Sequence, residues 1–105
     1  MRGAVLALIL AACTPSPLPG TPAQAGTYTG PGGTTFRVDA RGVWDNGDNM
    51  NCRTGVQGST LTLDCHGHRL TAVWTVRADG SVETDIIDLL YGEGRGVTQV
   101  YKRVP

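Results

Sequence analysis

Cys65-His66-Gly67-His68 is the densest run of metal-ligating side chains in this sequence. Histidines two apart on a strand point to one face and can chelate one ion, with Asp64 or a cysteine completing the set. Gly67 instead sets the pair on a turn, where the rings share no fixed direction and are solvated. No metal is assigned to them. Asp45-Asn46-Gly47-Asp48-Asn49-Met50-Asn51 offers oxygen ligands of the kind calcium prefers. It lacks the ligand order of an EF-hand and the glutamate that closes that loop. Asn and Asp beside glycine are turn formers, and the segment is read as a turn.

The inventory for catalysis is thin. Ser59 and Ser81 each follow a glycine at a turn, and neither sits in a Gly-x-Ser-x-Gly elbow. Glu83, Asp85 and Asp88 offer paired carboxylates, but a solvated strand face accounts for them equally. Cys52 and Cys65 have no Cys-x-x-Cys spacing and no βαβ pattern around them, which argues against redox work. No enzyme activity and no cofactor are expected. Among Tyr28, Trp44, Trp74, Tyr91 and Tyr101, Trp74 shares an apolar face with Leu70, Ala72 and Val76 and reads as core. Trp44 lies beside the Asn46-Gly47 turn, where it would line a barrel mouth open to an apolar ligand, with Tyr91 as a second contact. An eight-stranded barrel is either filled by its side chains or left with room for one small ligand. The filled interior is the reading preferred here.

Turn signals that position these residues recur every nine to thirteen residues from Gly26 onward, among them Gly30-Pro31-Gly32-Gly33, Asp39 to Gly42, Asp79-Gly80 and Gly94-Arg95-Gly96. Between them, Thr34 to Asp39 alternates with Phe36 and Val38 inward. Thr60 to Cys65 does the same with Leu61, Leu63 and Cys65, and Arg69 to Arg77 with Leu70, Ala72, Trp74 and Val76. Thr84 to Gly92 admits two readings: a strand broken by a bulge, which is preferred, or a two-turn helix capped by Thr84 and ended by Gly92. Val97 to Val104 is the closing strand. The expected fold is all-β: a small antiparallel meander of seven to eight strands, barrel or sandwich, similar in outline to small lipocalin-like barrels.

The start of the chain is written differently. Met1-Arg2 gives one positive charge, and Ala4 to Ala12 is an apolar run too short to span a bilayer as a helix, which takes about 20 residues. This layout is that of a secretory signal. Its end, Leu10-Ala11-Ala12-Cys13, resembles the lipobox of bacterial lipoprotein precursors. The resemblance implies cleavage before Cys13, a diacylglycerol on its sulfur and acylation of the freed amine, so residues 1–12 are expected as signal peptide. One acyl chain holds a protein weakly and two or three hold it stably, so the membrane is the expected partner. Thr14 stands where some diderm species carry an aspartate retention mark, which implies the outer membrane in such an organism. Residues 13–25 are expected to be a Pro-rich tether of about 35 Å, and 26–105 the β domain.

Export bears on the remaining cysteines. With Cys13 lipidated, Cys52 and Cys65 are the sole pair, and an exported chain suggests a disulfide between them. Removing the leader takes Arg2 and leaves eight basic residues against nine acidic ones. So balanced a charge gives no stripe for nucleic-acid phosphates. The function expected is an envelope lipoprotein that displays a compact β domain for another protein or component. A small apolar-ligand carrier with a barrel cavity is the alternative, and an enzyme or metal-handling protein ranks behind it.

Overall fold

Residues 17–92 and 97–105 are described by the computed structural model, so the leader, Cys13 and the Gly94-Arg95-Gly96 turn lie outside the described residues. Nine strands follow one another in an antiparallel sheet: β1 Gly26–Thr29, β2 Thr35–Val38, β3 Val43–Asp45, β4 Cys52–Gln57, β5 Thr60–Cys65, β6 His68–Val73, β7 Thr75–Val76, β8 Val82–Thr84 and β9 Gln99–Val104. Their order is β6-β5-β4-β3-β2-β1-β9-β8-β7. The two ends of that order are consecutive in the chain, separated only by Trp74. One stretch of backbone therefore pairs with β5 through β6 and with β8 through β7, and the sheet curls into a nearly closed barrel. The Trp74 amide continues the first pairing by donating to the Ser59 carbonyl at 2.9 Å. Joining the wall to itself in this way leaves few free edges.

Alternation explains which side chains fill it. Phe36 and Val38 of β2, Leu61 and Leu63 of β5, and Ala72 with Trp74 are buried, while Arg37, Thr71 and Thr75 between them are exposed. Tyr28, Trp44 and Tyr101 join them, each at most 1% exposed. Phe36 is the hub of this interior. Its ring lies 4.9 Å from Tyr28, 5.0 Å from Tyr101, 6.0 Å from Trp44 and 6.1 Å from Trp74, within the range where aromatic pairs attract. Around the wall from these rings, Cys52 and Cys65 are joined by a disulfide across β4 and β5.

Two expectations change. The preferred strand over Thr84 to Gly92 ends at Thr84, and Ile86–Tyr91 forms a short helix, α1. The helix buries Ile86 fully and half-buries Ile87 and Leu90, leaving Leu89 and Tyr91 exposed. A strand would have split Ile86 and Ile87 onto opposite faces; helical spacing puts both, with Leu90, against the core. Gly92 closes the helix in the left-handed region, its amide donating to the Asp88 carbonyl. The second change is at Val76, expected inside but 55% exposed. It sits at the rim on a two-residue strand, past the Trp74 break, where the interior has ended.

The second half of the expected tether is not a free spacer. Thr21 and Val56 exchange backbone hydrogen bonds at 3.0 and 2.6 Å. They extend the edge of β4 beyond the point where short β3 stops pairing with it. The Ala23 amide donates to Thr54 Oγ1 at 2.9 Å, and Ala23 is 5% exposed. Gly55 makes room for this: a Cβ there would overlap the Pro19 carbonyl and crowd Leu18. Gly20 is needed for space and for its φ of 80°, since a side chain would strike the Val56 carbonyl. Among the described residues no helix is long and apolar enough to cross a membrane.

Candidate functional site

Polar side chains with potential for recognition gather in two places on the outer surface. The first joins the Asx loop to α1. The Tyr91 hydroxyl donates to Asp48 Oδ2 at 3.0 Å, and the Asn46 side-chain amide donates to the Tyr91 oxygen. Loss of water around the phenol, followed by its contact with the Asp48 carboxylate, holds Tyr91 above the usual tyrosine value. The loop is otherwise tied to itself. Asp45 and Asn46 side chains accept from the Gly47 and Asp48 amides at 3.1 Å, and Asn49 and Asn51 take positive φ. These are Asx-turn contacts, and they spend on the backbone the oxygens a cation would need. Beside the loop a recess of about 200 Å³ is lined by Arg37, Asp39, Val43, Asp45 and Asn51.

The second place is the outer face of β4, β5 and β6. Arg53 pairs with Asp64 across the β4–β5 ladder, and Arg69 Nε lies 3.8 Å from the same carboxylate. Asp64 Oδ1 accepts from the Gly67 amide at 2.9 Å. That backbone bond, with the Arg53 contact, holds Asp64 below the ordinary aspartate value against the opposing effect of burial. Arg53 and Arg69 keep 41% and 40% of their side chains exposed. The face thus presents guanidinium groups to solvent while its one acid is turned toward the protein. The sequence reading singled out neither arginine, and the signal that was present covers Arg53 and Asp64 alone. Each of Arg53 and Asp64 is one residue inside the paired cysteines, so a Cys52–Cys65 link sets them opposite each other.

The expected site residues are dispersed. Trp44 is fully buried between β2 and β4, against Phe36, and not at an open mouth; its Nε1 has no hydrogen-bond partner among the described residues. Tyr91 is 47% exposed on α1. The two therefore do not line one cavity. His66 and Gly67 form the β5–β6 turn with φ of 54° and 93°, and both histidines are exposed. No group of three or more His, Cys, Asp or Glu placed to hold a metal ion occurs among the described residues.

The other candidates have structural tasks. Glu83 pairs with Arg77 at 3.3 Å, and Asp85 accepts from the Val73 amide at 2.9 Å, tying α1 to the wall. Ser81 donates to Asp79 at 2.5 Å within the β7–β8 turn. Comparison with protein-family models, with curated proteins and with solved structures finds no match.

Proposed function

We propose that the chain is an exported lipoprotein, anchored through lipid on Cys13, whose small barrel is displayed in the cell envelope to bind another envelope component. The observation that carries this reading is how the three cysteines are allotted. The Cys52–Cys65 disulfide occupies both cysteines of the domain. Stable disulfides belong to oxidising compartments outside the cytosol. Cys13 is left over, and it follows a short apolar run ending in Leu-Ala-Ala.

Display accounts for the interior better than carriage does. Five aromatic rings centred 4.9–6.1 Å apart occupy the space a ligand would take. What the domain offers a partner is therefore its outer surface, where the Tyr91–Asp48 contact and exposed Leu89 lie.

Metabolic labelling with an alkyne fatty acid in the producing bacterium tests the anchor. The native chain should incorporate label, and Cys13→Ala should incorporate none and lose its membrane association. Equal labelling of the two would sink the proposal.

A further inference from the structure

We infer that docking of residues 17–23 onto β4 turns one wall of the barrel toward the bilayer, so that the outer face of β4–β6 meets the lipid headgroups. The inference rests on Cys13 being the anchor. Its physical basis is reach. Between Cys13 and Pro17 stand three residues. At no more than ~3.3–3.6 Å per residue, Pro17 stays within about 14 Å of the lipid attachment point. A small domain is about 30 Å across. On a leash less than half that width the barrel cannot turn its far wall to the membrane.

The leash is fastened at an identifiable spot. Pro17 accepts a hydrogen bond from Arg69 Nη2 at 3.4 Å. Leu18 and Pro19 then cross Gly55, Thr21 bonds Val56, and Ala23 enters the core. The chain thus leaves the barrel over the face that carries Arg53, Asp64 and Arg69. Two guanidinium groups against one carboxylate give that face an excess positive charge. Planar, multiply donating guanidinium groups suit phosphate oxygens, and anionic leaflets attract such charge at close range. Exposed Thr71 continues the face along β6, directly opposite Thr62 of β5.

The partner assigned is therefore the headgroup layer of the anchoring membrane. The walls turned away from it, β1, β2 and β9, remain open to soluble partners.

The test uses the mature chain, Cys13 to Pro105. Cys13 is its only thiol outside the disulfide, so it can be coupled to a maleimide-headgroup lipid in vesicles of phosphatidylcholine and phosphatidylglycerol. This fixes the anchor whether or not cells lipidate the protein. Missing lipid on cell-made protein would defeat the proposed function and leave this measurement intact. A genetically encoded fluorophore is placed at Thr71, or at Thr35 on β2, four strands away around the barrel. Quenching by headgroup spin-labelled lipid should be several-fold stronger at Thr71. Inserting about ten Gly-Ser residues between Ser16 and Pro17 adds roughly 17 Å of flexible reach and should bring the ratio close to one. Equal quenching in the uninserted chain, stronger quenching at Thr35, or a ratio unchanged by the insertion would overturn the inference.

Discussion

The barrel is held in two different ways on its two sides. Around β1, β2, β3 and β9 the inward residues include four large rings, Tyr28, Phe36, Trp44 and Tyr101, and contacts among them fill much of the interior. The inward residues of β4, β5 and β6 are smaller: Thr54, Leu61, Leu63 and Ala72. There the fold adds a covalent bond, an Arg–Asp–Arg cluster and the docked segment 17–23. A domain of this size buries too little surface to rely on packing alone. Where rings supply the contact area, strand alternation suffices. Where they do not, staples from the surface compensate.

The largest expected effect is on the ring-packed side. Phe36→Ala removes the hub of four ring contacts and should lower the unfolding free energy by about 3–5 kcal/mol, read by denaturant titration. Wild-type stability in that variant would break the comparison, because the rings would then be dispensable. Next comes the staple. Replacing Cys52 and Cys65 together by alanine should cost about 3 kcal/mol for a loop of this length. The same titration measures it, and a loss of under ~1 kcal/mol would show that the small-residue wall holds without its bond.

A smaller effect is expected where the strap crosses the wall. Gly55→Val should displace Leu18 and Pro19 at a cost of ~1–3 kcal/mol typical of overpacking. Hydrogen exchange should accelerate at the Thr21 and Val56 amides, while the amides of β2 and β9 keep their rates. Acid should weaken the stapled wall. Asp64 has a folded-state pKa depressed below its unfolded value, so its contribution is complete above about pH 4 and is lost as pH falls through the depressed value. Asp64→Asn should flatten the acid limb of melting temperature against pH. An unchanged limb would assign acid sensitivity elsewhere, with Asp39 and Asp79, also depressed, as the first suspects. The smallest effect is at Tyr91→Phe, whose exposed hydrogen bonds should contribute less than about 1 kcal/mol.

The two sides also differed in how plainly the sequence announced them. Period-two alternation in Thr34 to Asp39 and Thr60 to Cys65 was enough to place β2 and β5 and their inward residues. Cysteine count and export logic were enough to pair Cys52 with Cys65. Alternation failed at Val76 because the interior ends at the rim past Trp74. The strand expected over Thr84 to Gly92 rested on the turn signals that flank it, and such signals bracket a short helix such as Ile86–Tyr91 equally well.

The strap was hidden for a different reason. Proline-rich chain carries no hydrophobic pattern, so its docking is written only in the residues that receive it. Gly55 is such a residue, since it lies inside β4 and marks a close backbone approach. Of the outer polar clusters, the Arg53–Asp64 pair was not read from the sequence, although the cysteine register implies it. The meeting of Tyr91 with the Asx loop spans more than forty residues and needed the closed barrel to bring it about.

Intact mass spectrometry of the protein purified from its native host without reductant tests the central claim most directly, since it reads processing, lipid and disulfide on one molecule. The expected mass is that of a chain beginning at Cys13, heavier by a diacylglycerol and an acyl group and lighter by the two hydrogens lost between Cys52 and Cys65. A mass matching the unprocessed chain from Met1 with all three cysteines reduced would contradict it.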